Sequence, residues 1–152
     1  MAIERTGATQ QVYVDHGDAN SDTIVVPADA EIAFIHVTGY NFVTNPFSAP
    51  TTLTLAGVSC SISLDMDDSN SYHDGAVFYL VNPTAESQSL VWNFNTETFV
   101  VGPVFQITFY KGINTSDPIG DTDVIQFPRI VREVVSGPQL FHVLVVSSGG
   151  AH

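Results

Sequence analysis

The stretch Val58-Ser59-Cys60-Ser61-Ile62-Ser63-Leu64-Asp65-Met66 alternates apolar and polar residues without a slip. Successive side chains leave a strand in opposite directions, so the pattern predicts one strand with a buried face and a wet face. Val58, Cys60, Ile62, Leu64 and Met66 fall on the buried side of that expectation. The same grammar recurs elsewhere. Leu90, Trp92 and Phe94 alternate with Val91, Asn93 and Asn95, and Phe105, Ile107 and Phe109 alternate with Gln106, Thr108 and Tyr110. No helical periodicity competes with it.

Turn formers cut the rest of the chain into short extended pieces. Strands are predicted at Gln11–Val14, Thr23–Val26, Ile32–Val37, Thr51–Ala56, Gly75–Val81, Ser89–Asn95, Ile130–Val135 and Leu140–Val146. Asn82-Pro83 and Gly137-Pro138 punctuate them; Asp67–Asp74 and Gly112–Asp121 read as polar loops. About ten short strands at this spacing favour an antiparallel β-sandwich over an α/β fold. The 152 residues fit one domain, with residues 1–22 able to serve as an extended N-terminal arm.

Charge excludes several partners. Sixteen Asp and Glu oppose four Lys and Arg, a net charge of -12. Such a chain repels phosphate backbones and anionic membrane surfaces, so neither nucleic acid nor membrane is an expected partner. No stretch approaches the ~18 apolar residues of a spanning helix. No basic start leads into an apolar run, so synthesis in a reducing cytoplasm is expected. The single cysteine, Cys60, reads as a small core residue. Asn114-Thr115-Ser116 matches the glycosylation triplet by chance in a chain without a secretory signal.

Candidate chemistry is sparse. Asp65, Asp67, Asp68, Asn70 and Asp74 could offer oxygens to calcium, but the EF-hand pattern fails. Asn70 stands where glycine is needed and Ala76 where glutamate is needed, so a solvated turn is the expected reading. Asp117, Asp121 and Asp123 form a second acidic loop with the same reading. The histidines His16, His36, His73, His142 and His152 show no zinc spacing. His36 and His142 lie in apolar runs as hydrogen-bonded core or interface residues. His73 beside Asp74 is the one acid–base pair, and no nucleophile elbow accompanies it. No catalytic residue, metal or cofactor is expected.

Surface candidates remain. Tyr40, Phe42 and Phe47 share a loop-like stretch, and Tyr72 lies in the acidic loop. Aromatics of this kind serve protein interfaces and sugar stacking alike. Leu140–Val146, interrupted only by His142, wants cover on both faces, from a second layer or from another chain. Edge strands are commonly guarded by lysine, and Lys111 is alone here.

The order of these pieces resembles a β-sandwich module of phage virion and prophage proteins. The stretches that carry it are Val26-Pro27-Ala28-Asp29-Ala30-Glu31 before the Ile32–Val37 strand, and Leu53-Thr54-Leu55-Ala56-Gly57-Val58. Ala76-Val77-Phe78-Tyr79-Leu80-Val81-Asn82-Pro83 follows, then Ile107 to Gly112 with Asp117-Pro118-Ile119. The resemblance covers roughly residues 24–146 and departs at the C-terminus, where further strands would be expected. It implies a jelly-roll-like sandwich and a non-enzymatic virion protein, a capsid decoration, cement or head-spike component. Such a protein is made in the host cytoplasm and sits in the virion. Its partners would be the major capsid protein or another virion protein and further copies of itself, as a trimer or dimer. The expected interface residues are Tyr40, Phe42, Phe47, Leu140, Phe141 and Val143. The alternative is a receptor- or glycan-binding module of a tail or spike, and a calcium-dependent adhesin is a third reading.

Overall fold

The strands pair as nested antiparallel partners, first with last and inward. In a computed structural model that describes residues 2–14, 20–40, 49–66, 73–94, 101–119, 121–123 and 132–134, β1 (Glu4–Tyr13) pairs with β9 (Val101–Lys111). In turn β2 (Ser21–Val26) pairs with β8 (Glu86–Asn93), and β3 (Ile32–Tyr40) with β7 (His73–Val81). The innermost pair is β4 (Thr52–Leu55) with β5 (Val58–Ser59). Two more pairings, β3 with β9 and β4 with β8, roll this nested ribbon into two sheets. The five-stranded sheet runs β1-β9-β3-β7-β6, with β6 (Ser61–Met66) at its edge, and the four-stranded sheet runs β2-β8-β4-β5. That is the strand order of a jelly roll, as the resemblance implied. A separate hairpin joins β10 (Asp121–Asp123) to β11 (Arg132–Val134). Among the described residues there is no helix.

The core lies between the sheets. Ala33, Ile35 and Val37 of β3, Phe78 of β7 and Phe105, Ile107 and Phe109 of β9 face Ile24, Val26, Leu53, Leu55, Leu90 and Trp92. Every second residue of each strand contributes, the condition for burying one face of a pleated sheet. The ring of Trp92 tilts against Phe105 at 4.9 Å between centroids, bridging the two layers. β3 is the central strand of its sheet and is buried on both faces: Ile32 and Phe34 head a second cluster on the outer face with Val77. The unbroken apolar run Ile32–Val37 has its reason here.

The stretch Val58–Met66 is where the structure departs most from the alternation. It is two strands, not one. The chain leaves the four-stranded sheet after Ser59, crosses at Cys60, and enters the five-stranded sheet as β6. A bulge at Ser63 then resets the faces: Ile62 pairs with Phe78 of the inner face, and Leu64 with Val77 of the outer. Val58 and Ile62, both expected inside, are 51% and 47% exposed, because each sits on an edge strand beyond the opposite sheet.

Other boundaries moved outward. β1 begins at Glu4, well before the expected Gln11, so Glu4–Tyr13, within the stretch read as an arm, is a sheet edge. β7 begins at His73, which takes His73 and Asp74 out of the loop and into a strand. Asp121 and Asp123, read as an acidic loop, are the strand β10. Ala56 and Gly57 close the β4–β5 hairpin with φ of 54° and 75°, the two positive dihedrals of a type I′ turn. β7 stops at Val81 before Asn82-Pro83, as expected.

Candidate interaction surface

The residues singled out by sequence do not gather into one place. Tyr40 ends β3, its backbone opposite His73 and Val101. Phe42, Phe47, Tyr72, Leu140, Phe141 and Val143 lie outside the described residues, as do Asp67, Asp68 and Asn70. Asp65 lies in β6 opposite Ala76, and Asp74 in β7 opposite Gly39, so these two belong to neighbouring strands rather than one loop. Among the described residues no three of His, Cys, Asp and Glu come together. His36 is buried on the outer face of the five-stranded sheet, between Val77 and Gln106.

A different surface emerges once the strands are set side by side. On the outer face of the four-stranded sheet, β2 presents Ser21, Thr23 and Val25, and β8 presents Ser87, Ser89, Val91 and Asn93. β4 adds Thr52 and Thr54, and β5 adds Ser59. All are exposed except the central Thr54, which is half-buried. Val25 and Val91 are 57% and 36% exposed, apolar side chains standing in water on this face. None of these side chains is ionisable, on a protein of net charge -12. The two carboxylates on these strands, Asp22 and Glu86, take the register positions of Leu90 and Val26, whose side chains point to the core. The charge-free face is therefore confined to one side of one sheet.

The four edges of the sandwich are closed in three ways. An open edge offers unpaired N–H and C=O groups to any passing strand. The Gln10 side chain closes the β2 edge: its Nε2 donates to the Val25 carbonyl at 2.6 Å, and its Oε1 accepts from the Val25 N–H at 2.8 Å. One side-chain amide thus replaces a strand partner and ties β1 to the opposite sheet. β1 itself carries a bulge between Thr6 and Gln10, built on Gly7 with φ 68°. β6 carries the bulge at Ser63, and β5 is only two residues long. Lysine, the common guard, is not used for this.

Gln10→Glu keeps the shape but gives the Val25 carbonyl an acceptor where it had a donor. We expect a loss of about 0.5–1.5 kcal/mol, the usual net worth of a hydrogen bond, read as a lower urea midpoint at unchanged slope. Gln10→Asn, too short to reach, should lose a similar amount.

Lys111 instead serves the end of β9. Its Nζ lies 2.9 Å from Asp29 Oδ2 and 3.7 Å from Glu4 Oε2. Asp29 also accepts from the Thr6 hydroxyl. The Thr6 hydrogen bond, then Lys111, hold the Asp29 carboxyl below its usual range, and the bond to Asp29 raises Lys111. The contribution of Asp29 is thus present above the ordinary carboxylate range and lost as pH falls through its lowered value.

Cys60, at the crossing between sheets, packs partly buried against the core. Burial pushes its thiol up to about 12 from 9.0. The charged form is the disfavoured one, so the native thiolate fraction at pH 8 is about a thousandfold below that of a free cysteine. Reaction with a thiol reagent at pH 8 should be slow in the native protein and prompt in urea. Fast native labelling would mean the crossing opens readily.

The sequence held a faint sign of the charge-free face. The wet halves of Thr52–Leu55 and Glu86–Asn93 use Ser, Thr, Val and Asn where sixteen acids were available. Comparison with protein-family models, with curated proteins and with solved structures gives no match.

Proposed function

We propose that this protein is a non-enzymatic virion component of the capsid decoration or cement type, a module that attaches to a repeated protein lattice and stabilises it. One observation carries the reading: an exposed, charge-free sheet face on a strongly acidic jelly roll. Acidity keeps free copies soluble, while a surface without ions can be desolvated without stranding a charge. The resemblance to phage virion sandwiches supplies the kind of lattice. Stabilisation follows because a ligand that binds only the assembled shell shifts assembly toward it, by about 2.7 kcal/mol per site at a hundredfold excess over Kd.

The test is co-sedimentation of the purified chain with phage shells, with and without heating. Saturable binding that raises the temperature of shell disruption is expected. A chain that stays in the supernatant with every shell tried would overturn the proposal.

A further inference from the structure

We infer that residues 112–119 form a strap, latched by Glu31, that lifts as a unit from the outer face of the five-stranded sheet while the sandwich stays folded. The inference concerns the sheet opposite the charge-free face and does not rest on the proposed function.

The outer face of the five-stranded sheet is the reverse of its counterpart. An antiparallel sheet commonly turns one face to water, and the four-stranded sheet does so with hydroxyls. On the five-stranded sheet Ile32 and Phe34 are 0% exposed and Val77 is 4% exposed. The ring of Phe34 stacks on Tyr79 at 6.3 Å and meets Tyr110 edge-on at 6.4 Å. Such a face is stable only under cover. Among the described residues, the cover from outside the sheet is Ile3, Ile113 and Ile119.

Two of those three belong to the strap, and the way it is held separates it from the sheets. It lies between β9 and β10, outside either strand. Its turn is self-contained: the Ser116 N–H donates to Asn114 Oδ1 at 3.2 Å, and the Asp117 N–H to the Asn114 carbonyl at 3.1 Å. Residues 114–117 are exposed, so the strap docks through its ends, at Ile113 and Ile119. Its shape therefore survives lifting.

The latch is at the near end, where Glu31 Oε2 accepts from the Ile113 N–H at 3.0 Å. Glu31 is itself fixed: its N–H donates to the Tyr110 carbonyl at 2.9 Å, and its carbonyl accepts from the Asn82 N–H at 2.7 Å. Gly112 is the pivot. Its φ is 77°, and glycine passes between left- and right-handed backbone without a side-chain penalty. Lifting forfeits the charge-assisted bond to Glu31 and bares the patch under the two isoleucines. It leaves the inter-sheet core intact, the condition for opening at less cost than global unfolding.

A cysteine beneath the strap reads the opening in the full chain. In a Cys60→Ser background, Ile32→Cys is the only thiol, and a thiol reagent reaches it once the strap lifts. Labelling should outpace the global unfolding followed by Trp92 emission, and should be flat with urea below the transition. Glu31→Ala should speed it about tenfold, the worth of a hydrogen bond to a charged acceptor. Glu31→Gln, which keeps an accepting oxygen, should recover most of that difference. Val77→Cys, in the same patch, gives the reading if Ile32→Cys does not fold. Labelling that climbs with urea along the global unfolding rate, or that Glu31→Ala leaves unchanged, would refute the inference.

Discussion

Phe105→Ala should remove about 3–5 kcal/mol of stability, the range for deleting a fully buried phenylalanine from a core. Phe105 is 0% exposed and lies on the inner face of β9, flanked in register by Val12 of β1 and Val37 of β3. Its ring is 4.9 Å from that of Trp92 and 6.2 Å from that of Phe94, both contributed by the other layer's β8 strand and the residue after it. The residue therefore belongs to both sheets, and its loss leaves a cavity that neither backbone can close. Against a total stability of about 5–15 kcal/mol, this brings the protein close to unfolding, with the melting temperature lowered by roughly 10 °C or more. Trp92, the one tryptophan of the chain, is a local reporter: its native emission should shift to the red as water enters the cavity. Phe105→Leu, which keeps most of the volume, should cost about a third as much. A loss below about 1 kcal/mol for the alanine variant would mean that the two layers are not packed on one another at this point.

That a sandwich is the fold was legible because alternation is local. Ile32–Val37, Gly75–Val81 and Phe105–Tyr110 each show which residues a strand must hide, and the structure buries Ile32–Val37, Ala76–Phe78 and Phe105, Ile107 and Phe109, with Tyr79–Val81 half-buried. Sheet membership was not legible, for a reason visible in Val58–Met66. Alternation continues across Cys60 although the chain changes sheets there, and one extra residue at Ser63 exchanges inner for outer face. Both events are set by what lies across the strand, so no count along the chain records them. β1 was half missed for a related cause. Its first residues, Glu4-Arg5-Thr6-Gly7-Ala8-Thr9, are polar and glycine-containing because they form a bulged edge.

The candidate surface was hidden more thoroughly. Sequence reading favours what stands out, and Tyr40, Phe42 and Phe47 stand out. A face defined by missing charge has no conspicuous residue. Thr54, Ser89 and Val91 acquire meaning only when the β4–β8 register places Thr54 beside Val91 and β2 closes the other side. The same holds for Gln10, an ordinary polar residue whose partner lies fifteen positions away in the opposite sheet. Edge closure and charge-free face are both set by pairing between strands that lie far apart in the chain.

Gly112→Ala is the second severe substitution, and here the damage is to the backbone. Gly112 follows the last residue of β9 with φ 77°, a left-handed conformation that costs an L side chain about 1 kcal/mol. Sterics add to it. A Cβ at this position would lie 2.2 Å from the Ala2 carbonyl oxygen and 3.0 Å from its carbon, so the segment before β1 must move. Ile3 moves with it, and Ile3 packs on the outer-face cluster of Ile32, Phe34 and Val77. The two contributions together should cost about 2–4 kcal/mol. Gly57 provides the control, because its φ is 75° and nothing lies within 4 Å of its would-be Cβ. Gly57→Ala should therefore show the conformational cost alone, about 1 kcal/mol. Asparagine separates the two causes further, since it tolerates the left-handed region but still brings a Cβ. Gly57→Asn should be nearly neutral, whereas Gly112→Asn should stay almost as damaged as Gly112→Ala. Trypsin cleavage after Arg5 under native conditions gives a local reading, because displacement of Ala2–Ile3 frays the start of β1 and should speed cutting in the Gly112 variants only. Equal losses at Gly57 and Gly112 would show that the close approach of Ala2 contributes nothing, and that the N-terminal segment is held by its pairing to β9 alone.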